Sequence, residues 1–468
     1  MTEFLPAARH LDLGSDFFDT VAPADFPKTV LRHRDTRWAE RIGLGQLTEA
    51  EWLNHFGRFQ PLPGSLPQPL ALRYHGHQFR SYNPDLGDGR GFLFGQCIDP
   101  VDQRLLDFGT KGTGKTPWSR GGDGRLTLKG GVREVLATEM LEALGVYTSK
   151  SFSLVETGEA LHRGDEPSPT RSAVLTRLSH SHIRIGTFQR LAYLDDTENL
   201  RRLVDYAIAN YYPHLAGAAD PAAALLEAVV EKVAILGAQW IAAGFVHGVL
   251  NTDNINITGE SFDYGPWRFL PVYDPDFTAA YFDQSGLYSF GRQPDTLAWN
   301  LTRLAECLVP LSSLEALEPA LNTVWPIFRS QLPLAMLRRL GLAPRDDEQN
   351  NALVTALFGF LSASKAPYEQ FFFDWRGGGL SAERAASSPS AEHYASEAFR
   401  PVANALESFG PAEDINLDHA YFARKTPRTM LIDEVEAIWA PIAENDDWSL
   451  FHQTLEEIGV MREAYGIV

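Results

Sequence analysis

Two cysteines, Cys97 and Cys307, are all that the 468 residues contain, so neither a disulfide framework nor a cysteine-based zinc site can be assembled. No stretch stays apolar for about 20 residues, and the opening "MTEFLPAARHLDLGSDFF" lacks a basic region followed by an apolar one. Neither secretion nor membrane insertion is expected, and a reducing cytoplasm is the expected location. Basic residues are also in deficit, 41 Lys and Arg against 60 Asp and Glu, for a net charge of −19. That balance disfavours a protein-wide attraction to nucleic acid or anionic membranes and leaves room only for a local basic cleft. What is present is 44% hydrophobic residues, ample for a buried core in two or three domains or one large two-lobed enzyme.

The first 72 residues mix short apolar clusters with prolines and read as an extension packed on the domain that follows. Residues 73–190 look β-rich. "LGDGRGFLFGQCIDPVDQRLLDFGTKG" gives a glycine-rich turn and a hairpin, and strands are expected in "SKSFSLVETGE" and "SAVLTRL". Between them "GVREVLATEMLEAL" places Val132, Val135, Leu136, Met140 and Leu144 on one helical face, with Gly145 as its cap. Residues 191–468 look helical, led by the nearly all-round apolar "PAAALLEAVVEKVAILGAQWIAAG" that ends at Gly244. A β-rich region followed by an α-rich one predicts an α+β fold in two lobes behind an N-terminal extension.

"GTKGTGKT", Gly109 to Thr116, matches the Walker A pattern letter for letter. Such a loop must run directly into a helix, and the following "PWSRGGDGR" makes one improbable. The same residues suit another phosphate site. Gly87, Gly89 and Gly91 allow close backbone approach, Arg90 adds a fork of donors, and Lys111 ends the next strand. Glu134 is placed to pair with Lys111, although the helical wheel fits a cleft carboxylate and a solvated one equally. Arg177 and Arg184 bracket His180 and His182, a pair without the neighbours a metal would need. Arg184, flanked by Ile183 and Ile185, hints at an extended segment that aims it inward.

"FVHGVLNTDNINI", residues 245–257, resembles the protein-kinase catalytic loop, with Val249 where the catalytic aspartate belongs. His247 falls on the loop's histidine and Asn254 on its metal-binding asparagine. Nine residues on, "DYG" begins at Asp263 in the place of DFG. One amide and one carboxylate suffice for Mg²⁺, which completes its shell with phosphate and water. Asp253 is the obvious replacement base. An Asx-rich turn is the plain alternative.

With "YHGHQF", "LDFGTKGTGKTPWSRGGDGR", "REVLATEML", "VLTRLSHSHIRIGTF", "YDPDF" and "QPDTLAWNLTRLAE", these segments make the sequence resemble the selenoprotein O family, also called YdiU, over about residues 70–310. The resemblance implies a protein-kinase-like fold that binds ATP flipped and transfers AMP to Ser, Thr or Tyr hydroxyls of proteins. It implies that Gly87, Gly89, Arg90, Lys111, Asp123, Gly124, Arg177, Arg184 and Asp263 bind ATP. Glu134 would anchor Lys111, Asp253 would accept the proton, and Asn254 and Asp263 would hold Mg²⁺ or Mn²⁺. The sequence departs at His75, Arg80 and Asp276, and it ends "REAYGIV", where eukaryotic members carry a selenocysteine redox motif. Redox control through such a tail is therefore not expected. Phosphoryl transfer, transfer of UMP, and a nucleotide-binding pseudokinase scaffold are the rival expectations.

Overall fold

The structure is a computed structural model describing residues 2–164 and 166–467. Its strands run β1 (Leu5–Ala7), β2 (Phe18–Thr20), β3 (Val30–Arg34), β4 (Leu70–Leu72), β5 (Gly76–Gln78), β6 (Ser81–Asn83), β7 (Leu93–Ile98) and β8 (Leu105–Lys111). They continue with β9 (Leu126–Thr127), β10 (Lys150–Leu161), β11 (Thr170–Ser179), β12 (Phe245–His247) and β13 (Trp267–Phe269). Nine of them form one sheet in the order β2-β4-β7-β8-β11-β10-β3, with β1 added beside β7 and β9 beside β11. All of the sheet's pairings are antiparallel, and β10 and β11 form its backbone with register from Lys150↔Leu178 to Leu161↔Thr170.

Both faces of this sheet are covered, which explains why β10 and β11 are apolar on successive residues rather than alternately. On one face Leu154, Ala173 and Leu175 meet Val132, Val135, Leu136 and Met140 of the helix Leu128–Ala143. That helix starts three residues before the sequence pattern suggests, because the Thr127 side chain accepts a hydrogen bond from the Gly130 amide as an N-cap. On the other face Phe108, Phe152, Val155 and Val174 meet Trp38, Trp52 and Phe56 from the first 72 residues. Burying each such side chain contributes roughly 1.5–3 kcal/mol. The N-terminal segment thus supplies four strands and an aromatic lid for the sheet.

Helices dominate from Ile185 onward, giving the α+β organisation the sequence predicts. The helix Pro221–Ala242 starts on an Asp220 cap with proline at its first turn and is followed by Gly244 at φ 63°. It lies buried among the helices Gln293–Leu308, Leu314–Asn322 and Val324–Leu340. The chain does not respect a division at residue 190, however. The helices Ile432–Asn445 and Ser449–Ala464 return to the sheet region, where Arg462 Nη1 lies 3.2 Å from both Glu139 and Glu142. Met461 and Ile458 join the same apolar cluster as Met140, so buried area binds the last 40 or so residues to the helix Leu128–Ala143. No helix among the described residues is long and apolar enough to cross a membrane.

Candidate active site

The lysine at the end of β8 and the arginine in the middle of β11 arrive together because β11 pairs with β8, Arg177 opposite Gly109 and Leu175 opposite Lys111. The helix Leu128–Ala143 brings Glu134 between them. Lys111 Nζ lies 2.5 Å from Glu134 Oε1 and 2.8 Å from Asp263 Oδ1, while Arg177 Nη2 lies 2.7 Å and 2.6 Å from the same two oxygens. Glu134 is only 1% exposed, which resolves the ambiguity of the helical wheel in favour of a buried carboxylate. Burial pushes the Asp263 carboxyl up, but Lys111, Arg177 and Arg90 together hold it well below the ordinary value. Lys111 is lowered by burial despite its two carboxylate partners. Asp263 sits at φ 61°, a left-handed conformation uncommon outside glycine and held here by the contacts around it.

The phosphate-loop alternative fails on structure. Gly109 to Lys111 lie inside β8, and the next helix starts only at Leu128. His180 and His182 are buried and structural: Glu260 and Tyr147 bond the first, Asp107 and Ser179 the second. Among the described residues no group of three or more His, Cys, Asp or Glu is placed to hold a metal.

Beside this cluster a cavity of about 590 Å³ is lined by Gly87, Gly89, Arg90, Asp123, Gly124 and Asp253, along with Tyr74, Trp118, Arg120 and Arg163. Asp253 reaches it from the short segment Thr252–Asn254. Asp253 is 8% exposed, its Oδ1 has no hydrogen-bond partner among the described residues, and burial, opposed by Arg184, raises its pKa to about 7. Gly76 makes this placement possible, since a β-carbon there would stand 2.9 Å from Asp253 Oδ1. The adjacent His77 amide donates to Thr252 Oγ1 at 2.7 Å, and Thr252 Oγ1 in turn donates to Gln189 Oε1 at 2.5 Å.

Arg184 is buried, as its flanking isoleucines suggest. Ile185 N–H donates to the Ile255 carbonyl and Ile257 N–H to the Ile183 carbonyl, so residues 255–257 bracket Arg184. The alternating run "INI" is thus not a strand of its own, because its backbone groups are paired with this short segment instead. The guanidinium stacks 4.2 Å from the Tyr74 ring and donates to the Asp253 carbonyl at 3.3 Å.

His247 Nε2 donates to the Phe262 carbonyl at 3.1 Å and Nδ1 accepts from the Val249 amide at 3.3 Å, tying "HGV" to the residue before Asp263. Asn254 Nδ2 donates to the Val249 carbonyl at 2.9 Å. No hydrogen bond among the described residues engages Asn254 Oδ1 or Asp263 Oδ2, which leaves one amide and one carboxylate oxygen unused.

In the turn after β8 the sequence singles out only Asp123 and Gly124, and residues 116–120 are where sequence reasoning misses the most. Thr116 Oγ1 donates to the Asp88 carbonyl and Ser119 Oγ to the Gly89 carbonyl, both at 2.5 Å. The Trp118 ring covers Gly87 so closely that a β-carbon there would fall 2.4 Å from it. Asp123 forms an ion pair with Arg163 at 2.7 Å. A serine and a threonine spaced to bond a glycine-rich loop were the available signal.

A cavity lined by four arginines and one buried carboxylate, with Lys111, Arg177 and Arg184 buried nearby, defines a site for an anionic substrate. Comparison with known proteins identifies the class as nucleotidyltransferase. The family profile described as protein adenylyltransferase SelO matches residues 2–459, well beyond the 70–310 spanned by the motifs. A protein nucleotidyltransferase YdiU from Gloeobacter violaceus is 46% identical, covering 97% of this chain and 94% of its own. Namesakes from a Synechocystis species and a Bradyrhizobium species are 44% and 37% identical, each over 95% of this chain and over 96% and 91% of their own lengths. The chain belongs to the SelO family.

Proposed function

We propose that this nucleotidyltransferase transfers AMP from ATP to Ser, Thr or Tyr hydroxyls of proteins, releasing pyrophosphate, on a two-lobed protein-kinase-like fold. The observation that carries the reading is Asp253: a buried carboxylate with an unpartnered oxygen in the cavity wall, near-neutral in pKa, and four residues beyond Val249. A general base must reach the attacking hydroxyl and titrate near the working pH. Asp253 titrates in that range and opens onto the cavity, so on this reading the loop that lacks the kinase aspartate keeps a base in a shifted place.

Gly87, Gly89 and Arg90 cradle the triphosphate from one side, with Asp123 and Gly124 at the rim of the same cavity. Lys111, Arg177 and Arg184 balance its charge, and Glu134 holds Lys111 and Arg177 in position. Asn254 Oδ1 and Asp263 Oδ2 are the hard oxygens that would hold Mg²⁺ or Mn²⁺, with phosphate and water completing the shell. The ion supplies charge neutralisation at the phosphates. The acceptor hydroxyl gives its proton to Asp253 as its oxygen bonds to the α-phosphorus. Preorganised cations lower the barrier because they need no reorientation as charge develops on the phosphate and departing pyrophosphate.

Incubating the protein and a cell lysate with ATP labelled at the α or the γ position tests the reading. Label retained on protein from α-labelled ATP is expected. Retention only from γ-labelled ATP would establish phosphoryl transfer instead, and greater labelling from α-labelled UTP would make UMP the transferred group. No labelling from any of them would leave a scaffold.

A further inference from the structure

Four arginines line the cavity around Asp253, and their partners separate them. Arg125 is clamped to Glu159, with Nε and Nη2 each 2.9 Å from a carboxylate oxygen. Arg163 is held by Asp123 at 2.7 and 3.1 Å. Arg90 and Arg120 make no hydrogen bond or ion pair through their guanidinium groups among the described residues. Arg90 already has a role in the nucleotide cradle, whereas Arg120 has none.

Arg120 is exposed, but the backbone that carries it is fixed. Its turn is fastened to the glycine-rich loop by the bonds from Thr116 and Ser119, and Trp118 Nε1 donates to Asp19 Oδ2 at 2.9 Å. Arg120 follows at φ 48°, directly before Gly121 at φ 88°. Two successive left-handed residues, one of them an arginine with glycine available next door, are a strained arrangement that needs its surroundings to persist. The consequence is that Arg120 is held at the cavity that the glycine-rich loop and Asp253 also line.

We propose that Arg120 is a catalytic residue that grips the non-bridging oxygens of the phosphate under attack, the α-phosphate of ATP. The inference rests on the AMP-transfer reading above. The acceptor oxygen forms its bond to the α-phosphorus while the bond from that phosphorus to the bridging oxygen of pyrophosphate breaks. Pyrophosphate leaves with the electron pair, and the hydroxyl proton passes to Asp253. In-line displacement puts pyrophosphate on the far side of phosphorus from the hydroxyl. Arg120 shares its cavity with Asp253, the base that receives the proton of the attacking hydroxyl, which assigns this cation to the attacked phosphate and not to the leaving group. The planar fork of arginine matches two phosphate oxygens at once.

The test compares full-length wild type with Arg120→Gln and Arg120→Lys, using α-labelled ATP and the two α-thiophosphate diastereomers of ATP. Arg120→Gln is expected to lower kcat about 100-fold while ATP affinity by calorimetry stays within about threefold, as for loss of one transition-state donor. The wild-type preference between diastereomers should collapse toward one. Arg120→Lys keeps a point charge without the fork and should fall between, which provides the same readout if the glutamine variant does not fold. A kcat within threefold of wild type, an unchanged diastereomer preference, or a loss confined to ATP binding would overturn the inference while leaving the AMP reading intact. Transfer of γ-label by wild type would overturn both.

Discussion

The two ends of the cleft are built on opposite principles. At one end Lys111, Arg177, Glu134 and Asp263 set two cations against two carboxylates, every charge within 2.8 Å of an opposite one. At the other end, among the described residues, Asp253 keeps an oxygen without a hydrogen-bond partner, and Arg90 and Arg120 line the cavity without ion pairs. A buried charge is costly unless compensated, so the first end is self-sufficient and holds its geometry in the protein alone. The second is left incomplete by the protein, which is what a site must be if a ligand is to complete it. The balanced end positions, and the unbalanced end reacts.

Removing the carboxylate that Lys111 and Arg177 share, which the proposed function also gives to the metal, should have the largest effect. Asp263→Ala removes the carboxylate that joins Lys111 and Arg177 to the catalytic loop, and AMP transfer measured with α-labelled ATP is expected to fall by more than about 1,000-fold. Asp253→Asn breaks only the reactive end. Its kcat should fall about 1,000-fold with ATP affinity unchanged in calorimetry. Loss of affinity there would contradict the division of labour.

Glu134→Gln attacks only the balanced end and leaves two buried cations sharing Asp263. Urea denaturation is expected to show a loss of about 3 kcal/mol, with kcat/KM down roughly 100-fold, because breaking one partner of a buried pair leaves charge uncompensated. A smaller effect is expected of Gly76→Ala, whose β-carbon would crowd Asp253 Oδ1. A displacement of this size near the reacting group should lower kcat about tenfold without altering ATP binding.

The smallest effect at neutral pH concerns the sheet region, away from the cleft. His10 is buried and His33 half-buried, and desolvation lowers both pKa values from 6.5 to about 4. The unfolded chain then binds protons that the folded one refuses, so their contribution is complete above pH 6.5 and is lost as pH falls toward 4. Each contributes up to about 3 kcal/mol to that loss. Thermal unfolding of His33→Gln should show a flatter acid limb, with transfer activity at pH 7.5 unchanged.

Much of this was legible along the chain. Local patterns suffice for strands β7, β8, β10 and β11, for the helix around Glu134 and for the long helix ending before Gly244, because hydrophobic periodicity and caps are short-range signals. The pairing of Lys111 with Glu134 was also anticipated. Arg177 was read as a ligand for phosphate, but its bonds to Glu134 and Asp263 depend on which strand lies beside β8, and no local pattern states strand order. The run "INI" alternates like a strand and is none, since its hydrogen bonds go to the segment around Arg184. The turn carrying Trp118 and Arg120 looked like a mere interruption because its partners, Gly87 and Gly89, lie about 30 residues away.

What the sequence by itself determined is chemical: the lysine, the carboxylates, the glycine-rich loop and a catalytic loop with Val249 in place of aspartate, together with the α+β class. What only the tertiary structure decided is electrostatic. Residue identities set which charges exist, but burial and distance set which are neutralised and which remain unmatched. Glu134 and Asp253 are both buried carboxylates, yet one is closed off by two cations and the other is left facing the cavity. That difference comes from long-range packing, which fixes the dielectric surroundings of each group and leaves no trace in the spacing of residues.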